Sequence, residues 1–519
     1  MNRPKAWKQR LRLGGGPVLG LSLWLIGAAQ GEQLSLWATA GTVAWMAWWW
    51  VTEAVPLAAT ALLPLVLLPL WKVQPAAEVA PNYASNSIFL FLGGFLLALA
   101  VQQSGLHRRI ALHILWALGD RPHRVVLGFL VASAALSMWL SNTATTMMLL
   151  PIALSVLARA EENSGHPAAS ANNSTASPAG ELAPALLLAV AYGASLGGIA
   201  TKVGTPPNVA FLAFYQQRWP QGPEISFPGW MLLALPVTLL LGGITWWLLT
   251  RAVFSVSRES LWGGRAAVAQ FARQLGPMSR DEKWAGGLFL ATALLWVLRE
   301  PVRGWGWAPL LGLGHGSAPE GAAWVSDATV AVGMGLLGFC IPSCQPGRKR
   351  LLQWEDTRQL PWGVLLLFGG GLALASAMRA TGLAQLLGHQ LAALLPHRWP
   401  TASVALLTAG MTALTELTSN LASVQMWLPI LAETARELQT DPRWLLVPVT
   451  LAASCAFMLP VATPPNAIVY GSQRVSLQQM MRAGLWVNLA AVAIITLVFR
   501  LLGAWHLGLE MHYLPAWAG

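Results

Sequence analysis

The chain has 519 residues, of which 55% are hydrophobic and only 10% are charged, and its mean hydropathy is +0.53. This composition excludes an ordinary soluble enzyme and is typical of a polytopic membrane protein. The formal net charge of +11 has a topological explanation, because basic residues concentrate in cytoplasmic loops of membrane proteins. The charge therefore does not indicate a nucleic-acid partner.

The N-terminal segment, residues 1–34, combines five basic residues with the first apolar run. Because no small-residue cleavage site follows, we interpret it as a cytoplasmic N-terminus with a retained first span. Later apolar runs are long enough to cross a bilayer. Together they predict about eleven transmembrane helices, near 17–30, 35–52, 55–71, 87–102, 183–214, 229–250, 284–298, 323–343, 361–378, 443–473 and 483–503.

Two further apolar stretches, residues 124–158 and 402–435, carry a cluster of polar residues at their centres. Each is about 34 residues long, whereas one span needs roughly 20, and two spans with a loop need more than the stretch offers. Their length and pattern predict two re-entrant hairpins, each formed by two half-helices that meet at a polar tip.

Two of the predicted spans are interrupted by a Thr-Pro-Pro-Asn motif, which begins at Thr205 in one and at Thr463 in the other. Consecutive prolines remove backbone donors and break the helical hydrogen-bond ladder. The carbonyls freed by such a break need partners, so the break survives in a membrane only inside protein or beside a polar cavity. Two broken helices at matching places in a chain indicate a transporter's binding site.

The chain contains an internal repeat. Ser141 and Asn142 are matched 278 positions later by Ser419 and Asn420, and the two motif threonines lie 258 positions apart. Each repeat is predicted to hold five full spans and one hairpin, and an odd number of spans reverses the orientation, so the repeats are predicted to be inverted. The predicted organisation is a first repeat at 35–254, a cytoplasmic linker at 255–283, a second repeat at 284–503 and an external tail at 504–519.

The distribution of positive charge predicts the orientation. The predicted inside segments hold 19 of the 32 Lys and Arg residues, against seven in the outside connections. This asymmetry predicts a cytoplasmic N-terminus and an external C-terminus. We expect a multi-pass protein of the lipid bilayer, in the plasma (inner) membrane of a bacterium.

The hairpin tips supply hydroxyl and amide oxygens, which come from Ser141, Asn142, Thr143, Ser419 and Asn420. Together with carbonyls freed at the proline breaks, they would form a neutral oxygen cage. Such a cage suits a small monovalent cation, because Ca²⁺ and Mg²⁺ sites are usually rich in carboxylates. Helix N-termini in the same elements attract anionic groups. A cation and an anion held side by side would bind cooperatively, which is the physical basis of symport.

Four motifs carry a family resemblance: SMWLSNTATTMMLLP, GGIATKVGTPPN, ALTELTSNLAS and MLPVATPPNAIVYGS. They resemble the divalent-anion/sodium symporter family, which carries dicarboxylates, citrate or sulfate. The resemblance implies a homodimer that works by an elevator mechanism. It implies a first sodium site from Ser137, Ser141, Asn142 and Gly204, and a second from Thr415, Ser419, Asn420 and Ala462. The implied anion site between them consists of Asn142, Thr143, Thr205, Asn420, Thr463 and Pro464.

The sequence departs from the family pattern at two positions. Leu421 stands where the second hairpin motif usually has threonine, so the missing hydroxyl is expected to change substrate choice. Lys202 stands where an apolar residue is usual, and an ionisable residue within a span is a functional hypothesis. Its ammonium could contact the anion, could stand in for the first sodium, or could snorkel or pair with a carboxylate. Glu416 is interpreted as a buried structural acid, with a role as partner or proton carrier left open.

The sequence thus predicts a secondary active transporter that moves a small divalent anion, foremost a C4-dicarboxylate, together with sodium. One alternative is a sodium-independent exchanger of dicarboxylates or tricarboxylates, which Lys202 motivates, and another is a symporter for sulfate or a related oxyanion. An intramembrane enzyme is not expected, because the sequence offers no nucleophile with a base and no set of metal ligands.

Overall fold

The computed structural model describes residues 3–31, 33–119, 121–164, 178–257, 269, 273–300, 305–314, 316–317, 323–396, 399–503, 508–509 and 513–519. Within these ranges the chain is almost entirely helical, and the extended pairing is limited to one isolated bridge between Pro342 and Arg350. The predicted all-α fold is confirmed. Residues 258–268 and 270–272 of the predicted linker, and residues 504–507 and 510–512 of the predicted tail, lie outside the described residues.

The first half of the chain forms twelve described α-helices. They are α1 (Arg3–Gln30), α2 (Leu34–Thr52), α3 (Leu57–Thr60), α4 (Leu63–Leu70), α5 (Ala76–Val79), α6 (Asn86–Ser104), α7 (Leu106–Leu118), α8 (Pro122–Ser137), α9 (Asn142–Ser164), α10 (Pro178–Ile199), α11 (Pro206–Arg218) and α12 (Phe227–Trp247). A π-helical turn, Leu248–Ala252, extends α12.

The second half adds ten described α-helices. They are α13 (Arg280–Val297), α14 (Trp307–Leu310), α15 (Asp327–Cys340), α16 (Trp362–Ala380), α17 (Leu383–Leu394), α18 (Pro400–Thr415), α19 (Asn420–Glu437), α20 (Arg443–Ala452), α21 (Pro464–Gly471) and α22 (Leu477–Val498). Another π-helical turn, Phe499–Gly503, extends α22.

Seven helices in the described part of the chain are long and apolar enough to cross a membrane. They are Trp7–Ala29, Ala76–Ser104, Asn142–Glu161, Glu181–Ile199, Phe227–Ala252, Trp362–Ala380 and Leu477–Gly503. Four shorter apolar helical stretches accompany them, at Leu57–Leu70, Pro122–Ser137, Asp327–Cys340 and Arg443–Ala452. The count of about eleven spans stays a prediction.

One predicted span is interrupted where the sequence had been interpreted as continuous. The run near 55–71 forms two short helices, α3 and α4, with the break after Thr60. Pro64 has no amide hydrogen, and its ring would clash with the carbonyl of Thr60 four residues earlier. The helical ladder therefore ends and begins again, with Pro64 in the first turn of α4.

The core is centred on α10. Its apolar stretch 182–199 is completely buried, and it packs against α8, α9, α12 and α21. A helix that is apolar on all sides is stable only when other helices surround it. The same order of elements occurs in both halves of the chain: a hairpin, an interrupted helix and a long helix, formed by α8–α12 in one half and by α18–α22 in the other.

Candidate transport site

The first hairpin turns at residues 138–141, between the end of α8 at Ser137 and the start of α9 at Asn142. The two helix ends are joined directly, because Ser137 Oγ donates a hydrogen bond of 2.7 Å to Asn142 Oδ1. Ser141 Oγ accepts from the backbone N–H of Ala144 at 3.2 Å, which satisfies a free donor in the first turn of α9. These three predicted ligands therefore lie together at one tip, which we call tip 1 (residues 137–144).

The first interrupted helix breaks at residues 200–205, between α10 and α11, and we call this segment break 1. The side-chain amide of Asn208 donates to the carbonyls of Gly198, Ile199 and Thr201 at 3.2, 3.2 and 2.8 Å. These are carbonyls that lose their helical partners at the break. The asparagine of the Thr-Pro-Pro-Asn motif thus supplies the donor that the prolines cannot.

The second interrupted helix breaks at residues 453–463, between α20 and α21, and we call this segment break 2. Here the Asn466 side-chain amide donates to the carbonyls of Ala456 and Leu459, both at 3.1 Å. Asn466 and these two acceptors lie 258 positions after Asn208 and two of its acceptors. The same offset in donor and acceptors means that the two breaks are built alike.

Tip 1 lies against break 1. The Thr201 hydroxyl donates to the carbonyl of Met138 at 2.5 Å. A Cβ added to Gly198 would lie 2.9 Å from Asn142 Oδ1 and 3.1 Å from the carbonyl oxygen of Gly204, so these two oxygens converge on one point. Three of the four predicted first-site residues, Ser137, Asn142 and Gly204, therefore adjoin one another, and Ser141 lies in the same turn.

The second hairpin turns at residues 416–419, between α18 and α19, and we call residues 415–423 tip 2. Asn420 Oδ1 is buried and has no hydrogen-bond partner in the described structure. The Thr415 hydroxyl donates only to the carbonyl of Thr412 within its own helix, at 3.2 Å. Ser419 is the N-cap residue of α19, but its side chain makes no capping hydrogen bond. Tip 2 therefore presents oxygens with free lone pairs.

Two residues of the predicted anion site, Thr463 and Pro464, lie where break 2 meets α21. Thr463 is the N-cap of α21, and its hydroxyl accepts from the N–H of Asn466 at 3.3 Å. Pro464 follows as the first residue of α21 and is exposed, whereas Ala462 is buried. In break 1, Thr205 occupies the equivalent N-cap position of α11. Its hydroxyl lies 3.5 Å from that of Ser454, so the two breaks contact each other.

The two residues that depart from the family pattern, Leu421 in tip 2 and Lys202 in break 1, are both buried. Leu421 is 5% exposed, and its side chain belongs to the apolar core. Thr143 is half-buried at tip 1, and no side-chain contact of Thr143 with break 2 is described. The structure therefore places Thr143 and Leu421 on opposite tips without joining them.

Lys202 in break 1 forms a buried ion pair with Asp327, with 2.7 Å between Nζ and Oδ2. Arg299 lies on the other side of the same carboxylate, with 3.0 Å between Nε and Oδ1, and also contacts Glu224. Of the alternatives left open for Lys202, the structure bears out the pairing with a carboxylate. We call Lys202, Asp327, Arg299 and Glu224 the ion cluster.

A cavity of about 190 Å³ opens beside the ion cluster and is lined by parts of α6, α11 and α15. Besides the four charged residues, its walls include Ser87, Tyr215 and Ser326. Break 1 therefore borders a polar cavity, which is one of the two environments in which an interrupted membrane helix is stable.

Several residues of this region were not predicted from the sequence. Asp327 pairs with a lysine 125 positions away, and its only sequence signal is that it is the single charged residue of the apolar run 323–343. Asn208 and Asn466 belong to the recognised motifs, but no role had been given to their side chains. Asn488, which contacts Glu416, is one polar residue within a long apolar helix.

The all-helical fold, the two interrupted helices and the two polar hairpin tips define a secondary membrane transporter. The model of the sodium:sulfate symporter transmembrane region matches residues 14–509. The chain therefore belongs to the sodium:sulfate symporter family, and the predicted family of divalent-anion/sodium symporters is confirmed. It is a transporter and not an enzyme.

Relatives named for their function support the same assignment. The chain is 40% identical over 456 residues to the sodium-dependent dicarboxylate transporter SdcS of Staphylococcus aureus strain NCTC 8325 / PS 47, covering 88% of this chain and 83% of the relative. The SdcS sequence of strain COL matches equally. Among solved structures, MtrF of Neisseria gonorrhoeae aligns with a TM-score of 0.53 and 14% identity, over 83% of this chain and 84% of that one, which shows a shared fold.

Proposed function

We propose that the protein transports C4-dicarboxylates across the plasma membrane of a bacterium, driven by sodium. The observation that carries this proposal is that neutral oxygens gather at the two hairpin tips: those of Asn142 and Gly204 converge where tip 1 meets break 1, and Asn420 Oδ1 is buried without a partner at tip 2. Such oxygens suit a monovalent cation. The similarity to a relative named as a sodium-dependent dicarboxylate transporter supports both the ion and the substrate class.

Each sodium is proposed to lie between a tip and a break. The first would be held by Ser137, Ser141, Asn142 and Gly204, and the second by Thr415, Ser419, Asn420 and Ala462. The converging oxygens of Asn142 and Gly204 support the first site. The unpartnered Asn420 Oδ1 supports the second, because a buried acceptor without a donor is costly unless it receives a hydrogen bond or a cation.

The anion is proposed to bind between the two tips, near the N-termini of four helices. Helices α9, α11, α19 and α21 all begin at a tip or a break, and each N-terminus carries a partial positive charge. The proposed contacts are Asn142, Thr143, Thr205, Asn420, Thr463 and Pro464. A dicarboxylate has two anionic groups, which suits a site with helix N-termini on two sides.

The two halves are proposed to be inverted repeats, with the N-terminus in the cytoplasm and the C-terminus outside. The matched amide contacts of Asn208 and Asn466 support a common structural unit. Inverted repeats provide two equivalent conformations and hence alternating access. We propose that the hairpins and interrupted helices move as an elevator in a homodimer whose remaining helices are fixed in the bilayer.

The ion cluster favours sodium coupling over sodium-independent exchange. For the exchanger, the charge of Lys202 would have to replace that of the first sodium. Asp327 neutralises this charge at 2.7 Å, so the cage of tip 1 does not gain a free positive charge from it.

The function is tested with purified protein in liposomes, by measuring uptake of labelled succinate and labelled sulfate with and without an inward sodium gradient. We expect succinate uptake that depends on sodium, and weaker sulfate uptake. Uptake that ignores sodium but requires an internal anion would identify an exchanger instead. Sulfate uptake faster than succinate uptake would assign the protein to oxyanions.

Leu421→Thr is expected to change the preference among anions. The substitution adds a hydroxyl beside Asn420, where the family usually has one, and a polar group in a buried site changes which substrate oxygens find a partner. We expect the ratio of succinate to citrate or sulfate transport to change by about 10-fold. Val424→Thr places the same hydroxyl one turn further along α19 and serves as control. Equal anion profiles for Leu421→Thr and the wild type would remove Leu421 from the substrate site.

A further inference from the structure

Glu416 joins tip 2 to break 2. Its Oε1 accepts hydrogen bonds from the N–H groups of Phe457 and Met458 at 2.7 and 2.9 Å, and its Oε2 accepts from that of Leu459 at 3.0 Å. Oε1 also accepts from the side-chain amide of Asn488 at 2.6 Å. The carboxylate therefore holds three consecutive amide groups of the break and is only 6% exposed.

The partners of Glu416 determine its charge. All four described groups are N–H donors, and a protonated carboxyl would need an acceptor for its own hydrogen. No acceptor for such a hydrogen occurs among the described contacts of Glu416, so these contacts are those of a carboxylate anion. The structure thus buries a full negative charge directly beside Thr415.

This negative charge has no cationic side chain to balance it among the described residues. Other buried acids do have one: Glu433 of the same hairpin pairs with Arg218, and Asp441 pairs with Arg443. Glu416 is moreover the C-cap of α18, where the helix dipole disfavours an anion. A buried charge in this position requires a counterion.

The tip that carries the unbalanced charge of Glu416 also carries a side-chain oxygen without a hydrogen-bond partner. The Asn420 Oδ1 atom is buried without a partner at the same tip, and Thr415 precedes Glu416 in the chain. We infer that Glu416 is the fixed countercharge of the cation held between tip 2 and break 2. This inference rests on the proposed sodium coupling and deepens it. Because its own oxygens are occupied by N–H donors, Glu416 acts as a positioning residue that does not itself coordinate the ion.

The two halves differ in this feature. The residue 278 positions before Glu416 is Met138, so tip 1 has no acid at the equivalent place. In tip 1 the corresponding contact to the break is neutral, from the Thr201 hydroxyl to the Met138 carbonyl. The countercharge therefore serves only the second cation, and its removal is expected to weaken one of the two proposed sodium sites.

The test is sodium-dependent thermal stabilisation of the full chain in detergent, measured with NaCl against choline chloride at constant ionic strength. A cation that binds only the folded state raises the melting temperature with its concentration. We expect Glu416→Gln to raise the sodium concentration for half-maximal stabilisation by about tenfold or more, because one unit charge near the ion is lost. Glu433→Gln, the matched control, neutralises a buried acid that already has an arginine, and its sodium midpoint should equal that of the wild type.

Two further variants separate charge from packing. Glu416→Asp keeps the charge, so its sodium midpoint should stay within about threefold of the wild type. In the double variant with Glu416→Gln and Asn488→Asp, the charge returns one hydrogen bond away, and part of the sodium affinity should return with it. These two variants also keep the test decisive where Glu416→Gln does not fold.

The outcomes distinguish this inference from the proposed function. A wild-type midpoint in Glu416→Gln, an equal shift in Glu433→Gln, or no rescue by Asn488→Asp together with loss of the sodium response in Glu416→Asp would overturn the countercharge and leave sodium coupling intact. A wild-type protein that sodium does not stabilise at any concentration would overturn both.

Discussion

Asn142→Ala and Asn420→Ala are each expected to lower sodium-driven succinate uptake by about 100-fold or more, while the protein still reaches the membrane. Each asparagine is the first residue of the second helix of its hairpin. It contributes to both a proposed sodium site and the proposed anion site, so one substitution removes a ligand of each. Loss of residues that position a bound ion typically costs 10–100-fold, and the coupled loss of anion contacts adds to this.

The measurement is initial uptake rate per reconstituted protein, with membrane insertion checked by recovery from the lipid fraction. Asn86→Ala is the matched control, because Asn86 is also the first residue of an α-helix, α6, but lies outside the tips and contacts Ser326. It should transport at close to the wild-type rate. Wild-type rates in Asn142→Ala and Asn420→Ala would remove the proposed cages.

The location of the breaks could be predicted because local chemistry decides it. Two consecutive prolines end a helix wherever they occur, so the motifs at Thr205 and Thr463 marked both breaks. The hairpins could be predicted equally well, since a polar cluster in the middle of an apolar run has few stable placements in a membrane. The break before Pro64 was missed, although the same argument applies to it, because the surrounding residues are uniformly apolar.

The contacts across the sequence could not be predicted, because they depend on how helices pack. Lys202 is separated from Asp327 by 125 positions, and Glu416 from Asn488 by 72. From the sequence alone, each of these ionisable residues could occupy several kinds of environment. Only the identity of its partner in the folded protein shows which one it occupies. The role of the Asn208 side-chain amide was easier to predict from the sequence. A helix break leaves carbonyls without donors, and the motif contains one side chain with an amide donor.

Asp327→Asn is expected to destabilise the fold more than Lys202→Met, although both remove one charge of the same ion pair. Asp327 contacts both Lys202 and Arg299, which are 5% and 3% exposed at their side chains. Without the carboxylate, Lys202 is left buried with no acid. An uncompensated buried charge of this kind costs about 3–5 kcal/mol.

Lys202→Met leaves a different balance of charges in the ion cluster. Asp327 keeps Arg299 as its partner, and Glu224 has a side chain that is 38% exposed, so water can solvate the acid that is in excess. The double variant, Lys202→Met with Asp327→Asn, leaves Arg299 paired with Glu224 and removes the unpaired lysine. Its stability should therefore exceed that of Asp327→Asn alone, which is the sign of coupling that a double-mutant cycle detects. Thermal unfolding of the four proteins in detergent measures this, and a double variant no more stable than Asp327→Asn would show that the two charges are not energetically coupled.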